Sequence, residues 1–109
     1  MSAEEREILG RYEAIAQTTC RMLAAARSSD WEGLVAHERV CAGLIEELRA
    51  AGDDKRTLSR EANARKCQII RRLLADDAEI RNLTQPWLAK LETILRAGAN
   101  QRRIDATYR

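Results

Sequence analysis

The chain contains no phenylalanine, one proline, one histidine and five glycines that stand singly. Each scarcity removes a class of function. Scattered glycines cannot build the Gly-rich turn that cradles phosphates. Cys20, Cys41 and Cys67 form no CxxC pair, and one histidine adds little, so no structural zinc site is expected. No Glu-x-x-His pair is present for a di-iron bundle, and no serine or cysteine has an obvious base beside it. The chain is expected to carry no catalytic, cofactor or metal site and not to be an enzyme. No apolar run approaches the ~20 residues that span a bilayer, and the acidic opening Met-Ser-Ala-Glu-Glu-Arg-Glu is unlike a secretion signal. A cytoplasmic protein with no membrane insertion is the expectation.

With only two Trp and two Tyr, the large side chains become landmarks. Trp31 sits in Asp30-Trp31-Glu32-Gly33-Leu34, at the junction of two heptad-patterned segments, and Trp87 follows the only proline. Hydrophobic residues make up 45% and charged residues 33% of the 109 residues, enough apolar mass for one folded domain. That mass is mostly Leu, Ile and Ala, which suits narrow helix–helix seams. The three thiols read as small buried or half-buried packing residues.

Ser2 and Glu5 have the spacing of a capping box. Ile8, Tyr12, Ile15, Thr19, Met22 and Ala26 then follow at steps of 4, 3, 4, 3 and 4, widened by Leu9, Ala16 and Leu23. This predicts a first helix over residues 3–27. Ser28-Ser29-Asp30 breaks it, and Ser29 with Glu32 repeats the capping spacing. A second helix over residues 30–51 carries Leu34, Cys41, Leu44, Ile45 and Leu48, with His37 as a half-buried packing residue. Gly52 is placed to end it, and residues 52–56 read as a loop. The third segment, residues 59–97, starts near Thr57 or Ser59. Ala62, Ile69, Ile70, Leu73, Leu74, Ile80 and Leu83 continue past Pro86 in phase with Trp87, Leu88, Leu91, Ile94 and Leu95. One long helix, kinked at the proline, follows from the kept phase. Gly98 and Asn100 are expected to end it, leaving a short fourth helix over residues 100–108 with Ile104 and Tyr108 on one face. The fold class is all-α: an antiparallel bundle of three long helices plus a short C-terminal one, in a single domain over residues 1–109.

Residues 1–54 hold 6 basic and 11 acidic residues, a balance of −5, and residues 55–109 hold 13 and 6, a balance of +7. Antiparallel packing lets these halves attract, and a basic C-terminal half also suits an acidic protein partner. Arg65, Lys66, Arg71 and Arg72 carry no interleaved aromatics, so direct nucleic-acid binding is not expected. Asp76, Asp77 and Glu79 read as salt-bridging partners of Arg72, Arg81 or the basic tail. What remains is surface. At about 1.5 Å per residue the third helix spans ~58 Å against ~32 Å for the second, so its apolar stripe outruns its cover. The tail, a second copy in a homodimer, or a client helix could supply that cover.

The order of Arg11-Tyr12-Glu13-Ala14-Ile15, Met22-Leu23-Ala24-Ala25-Ala26-Arg27, Asp30-Trp31-Glu32-x-Leu34, Asp76-Asp77-Ala78-Glu79-Ile80, Pro86-Trp87-Leu88-x-x-Leu91 and Ile104-x-x-x-Tyr108 resembles the FliT family of flagellar type III export chaperones. The resemblance implies a cytoplasmic chaperone. Such a protein binds the C-terminal region of the flagellar filament-cap protein, prevents its premature assembly and delivers it to the export gate. It further implies contacts with the export ATPase components and, in some bacteria, with the flagellar master transcription regulator. The terminal helix would fold over helices 2 and 3 and compete with clients. Carried over by position, Ile70, Arg81 and Tyr108 are the expected protein-binding residues, with Leu73, Leu74, Ile80 and Ile104 adding apolar area. Two alternatives remain: a chaperone of hook-junction proteins, and a self-associating coiled coil without a client.

Overall fold

The computed structural model describes the backbone of residues 1–107 and the side chains of residues 1–98. Three helices follow one another, α1 (Ala3–Arg27), α2 (Trp31–Ala50) and α3 (Arg60–Thr107), with a short 3₁₀ turn (Asp53–Lys55) before the last.

α1 begins where its capping box predicts. The Ser2 hydroxyl accepts from the Glu5 N–H at 3.1 Å, and the Glu5 carboxylate accepts from the Ser2 N–H at 3.1 Å. The other Glu5 oxygen accepts from the Ser59 N–H at 2.7 Å, while the Ser59 hydroxyl accepts from the Ala62 N–H to cap α3. One carboxylate therefore ties two helix starts together. The Ser59 and Ser2 N–H groups hold its pKa down at about 2, well below the usual 4.5.

The α1–α2 corner departs from the expected cap. Ser29 takes the left-handed conformation, with φ of 58°, and closes α1: Asp30 N–H donates to Ala25 C=O and Ser29 N–H to Ala26 C=O. That is a Schellman ending with serine where glycine is usual. A residue so placed cannot cap the next helix, and Asp30 does so instead, its carboxylate accepting from Gly33 N–H at 3.0 Å. A Cβ on Gly33 would lie 2.1 Å from that carboxylate, which is why a glycine fits the fourth position of the corner. Gly52 ends α2 as expected, at φ of 72°.

α1 is the central helix. Ser59 meets Glu5, Arg72 donates to Glu13 at 2.6 Å, and Arg27 donates to Glu79 at 2.7 Å, so α3 runs parallel to α1. α2 returns antiparallel to both. α1 packs against α2 and α3 and buries ten residues, including Ile8, Leu9, Tyr12, Ile15, Ala16 and Leu23, against Leu48 alone in α2. Leu48 of α2 and Ala62 and Ile69 of α3 complete the main core. Most of the predicted α1 stripe is buried; Met22 is half-buried. The unequal charges of the two halves meet where Glu13 pairs with Arg72 and Arg65, and Glu4 with Arg56.

Two loop and thiol expectations are corrected. Asp53 is not solvated: the 3₁₀ turn buries it to 1% exposure, and Arg11 donates to its carboxylate at 2.7 Å. Cys20 and Cys67 are exposed rather than packed, because each falls on the outer side of its helix; Cys41 is half-buried. His37 is half-buried, as its place in the stripe requires.

α3 also differs from expectation at its end. It passes Pro86 as one helix, and it does not stop at Gly98 or Asn100. Gly98 has no left-handed φ, and a glycine in helical conformation costs only about 0.5–1 kcal/mol without ending a helix. No separate fourth helix over residues 100–108 is present among the described residues; the segment to Thr107 is the last part of α3. At about 1.5 Å per residue, the 48 residues of α3 account for the 72 Å length of the molecule. The final stretch thus projects as an arm beyond the body.

Candidate functional site

Because α2 and α3 both lean on α1 and hardly on each other, an open groove lies between them. Its floor is Tyr12, Ile15, Thr19 and Met22 of α1; its walls are Cys41, Ile45 and Leu48 of α2 and Ile70, Leu73 and Asp77 of α3, enclosing about 350 Å³. The wall residues recur at helical steps on one face of each helix, which is why the sequence builds a continuous channel. Two floor residues carry local polar contacts. The Thr19 hydroxyl donates to Ile15 C=O at 2.9 Å, and the Tyr12 ring carries the Lys66 ammonium 5.3 Å from its centroid. The rim holds one ion pair, Asp77 with Arg81 at 2.7 Å. A lining of this kind offers apolar area and shape, with a charged edge for orientation. No group of His, Cys, Asp and Glu side chains able to hold a metal occurs among the described residues.

Further along the same seam, Trp31 of α2 and Trp87 of α3 stack with ring centroids 5.3 Å apart and planes 24° apart. Beside them Leu34, Val35, Thr84 and Leu88 line a second hollow of about 270 Å³. Beyond the tryptophans the apolar stripe of α3 is exposed: Leu91, Ile94 and Leu95 are 38%, 58% and 64% exposed.

The structure brings together part of the expected set. Ile70 and Leu73 line the groove and Arg81 stands at its rim through Asp77. Leu74 is 58% exposed and is not among the groove-lining residues. Ile80 is 6% exposed and belongs to the core rather than to a surface that a client reaches. The Ile104 side chain and Tyr108 lie outside the described residues. The expected folding of a terminal helix over α2 and α3 is not found, since the continuous helical backbone to Thr107 carries that segment away from the groove. Sequence reasoning missed the α1 floor and the α2 wall. The signal was present in the width of the α1 stripe, which is broader than one helical neighbour needs.

Residues 9–109 match the family described as flagellar protein FliT. The crystal structure of flagellar protein FliT from Bordetella bronchiseptica superposes with a TM-score of 0.70 at 36% identity, covering 80% of this chain and 98% of that one. No curated protein matches. No helix among the described residues is long and apolar enough to cross a membrane. A match over nearly the whole chain, together with a three-helix body whose apolar groove stands open, places this protein in the FliT family of flagellar export chaperones.

Proposed function

We propose that the α2–α3 groove receives an amphipathic helix of a flagellar client, and that this client is the C-terminal region of the filament-cap protein. The observation that carries the reading is the uncovered apolar channel from Leu48 and Ile70 to the Trp31–Trp87 stack. An extended groove of this chemistry suits a helix presenting apolar anchors at i, i+3, i+4 and i+7. Occupation of the client segment in the cytoplasm would prevent premature assembly, and release at the export gate would complete delivery. The export ATPase components and the flagellar master transcription regulator are further partners on the same reading.

The test is a titration of a fluorescently labelled C-terminal segment of the cap protein with the full chain, beside the segment of a hook-junction protein. Saturable binding of the cap segment is expected. Ile45→Glu, which alters an exposed wall residue (39% exposed), should weaken it at least tenfold, since a buried unpaired carboxylate is costly. Preference for the hook-junction segment would shift the assignment to that client. Binding unaffected by Ile45→Glu would remove the groove as the site.

A further inference from the structure

Each wall of the groove carries one apolar face, and charge breaks both faces at the same level. On α2, Leu34 and Val35 line one hollow while Cys41 and Ile45 line the other. The face that joins them passes through Glu38, four residues after Leu34 and three before Cys41. On α3, Ile70 and Leu73 line one hollow and Thr84 and Leu88 the other. Asp77 and Arg81 fall between them at steps of 4 and 4 from Leu73.

Helix register sets these breaks opposite one another. The Thr19 hydroxyl and the Cys41 thiol lie 4.0 Å apart. α2 runs antiparallel to α1, so Met22, three residues on from Thr19, comes level with Glu38, three residues back from Cys41. α3 runs parallel to α1, and Glu13 meets Arg72 while Arg27 meets Glu79. Interpolated between those pairs, Met22 is also level with residues 76 and 77. Met22 belongs to the groove floor, so the floor stays apolar where both walls turn polar.

This waist is acidic. The Asp77 carboxylate is paired with Arg81 at 2.7 Å, and the two charges largely offset each other. Glu38 is exposed. Its neighbours one helical turn away are Leu34, Val35, Cys41 and Ala42, none of them basic. No ion pair of Glu38 occurs among the described residues. One negative charge is therefore left over at the waist, between two apolar hollows.

We infer that the helix received by this groove is bipartite: two apolar clusters seat in the two hollows, and a lysine or arginine between them meets Glu38. The hollows are centred on α3 near residues 73 and 86, about 20 Å apart at 1.5 Å per residue. The client's clusters then lie about 13 residues apart, with the basic residue midway. Glu38 acts as a specificity-determining residue. A helix with the same apolar face and a carboxylate at its middle is rejected by like charge. An apolar residue there would strip water from Glu38 without giving it a partner. The inference rests on the groove receiving a client helix, and it adds the chemistry by which that helix is chosen.

The experiment repeats the titration of the labelled cap segment with Glu38→Gln and Glu38→Lys beside the wild type. Both substitutions change an exposed helix position, and circular dichroism checks that helicity is kept. At low ionic strength Glu38→Gln should weaken binding about twofold and Glu38→Lys about fivefold, with the loss shrinking as salt is added. Each Lys and Arg of the segment is then changed singly to Glu. One of these reversals should weaken binding to the wild type and be restored by Glu38→Lys. If Ile45→Glu weakens binding but Glu38→Lys does not, or if no reversal is restored, the charged waist is overturned and the groove remains the site. If Ile45→Glu has no effect, the groove reading falls and the waist falls with it.

Discussion

Ser29 is held where an L residue is disfavoured, at φ of 58°, and its side chain makes no hydrogen bond among those of the corner. The left-handed conformation costs a non-glycine residue roughly 1–2 kcal/mol, partly offset by the extra freedom a glycine has when unfolded. Ser29→Gly should therefore stabilise the protein by about 0.5–1 kcal/mol, read as a higher urea midpoint at unchanged slope. Asp53 is the opposite case. Its side chain is 2% exposed and relies on Arg11, itself 38% exposed. Arg11→Met would leave a buried carboxylate without its cation and should cost about 3 kcal/mol, at the low end for a buried pair because the guanidinium is partly in water. Arg11→Lys should recover part of that loss in the same unfolding titration. In the sequence Ser29 reads as a cap for the second helix rather than as a left-handed residue, and Asp53 does not stand out at all. A Gly-Asp-Asp-Lys-Arg run has the composition of a solvated loop, and which serine takes the left-handed position depends on how α1 closes, not on composition.

Between helices, the informative contacts sit at the ends. Glu5 joins the starts of α1 and α3. Its carboxyl is held at about 2 in the folded chain against 4.5 ordinarily, so its contribution is present above about pH 4.5 and is lost as pH falls toward 2. Glu5→Gln should flatten the acid limb of the stability profile in that window, measured by thermal unfolding from pH 2 to 6, with little effect on its shape above it. At the other end Trp87→Ala removes the partner of Trp31 and should cost about 1–2 kcal/mol, since a stacked aromatic pair adds ~0.5–1.5 kcal/mol beyond its area. The near-ultraviolet circular dichroism of the pair should collapse with it. Helix periods, the Ser2–Glu5 box and the Gly52 stop could all be read directly, because each is a local pattern. The Trp31–Trp87 stack could not, because nothing local links residues so far apart in the chain. The expected stop at Gly98 failed for a related reason: glycine ends a helix only where the chain turns left-handed, and here it does not.

At the scale of the whole molecule, elongation is the governing property. The radius of gyration is 20.0 Å, whereas a compact chain of this length has about 13 Å. Small-angle scattering of the chain at low concentration should return a value near 20 Å; one near the compact figure would mean that the arm folds back on the body. The all-α class and the outrun of α3 past α2 were readable because both depend on how long an apolar period persists. The groove itself was not: the broad α1 stripe signals that α1 takes two neighbours, but that α2 and α3 lean on it and hardly on each other is a tertiary choice that the stripe does not record. The separation of body and arm has a consequence for how such a chain changes over generations. Leu91, Ile94 and Leu95 contribute nothing to the core of their own chain, so substitutions there escape the folding constraint that restrains Ile8 or Ile69. Drift in the arm is free of that restraint, so the arm can change while the body that carries it stays as it is.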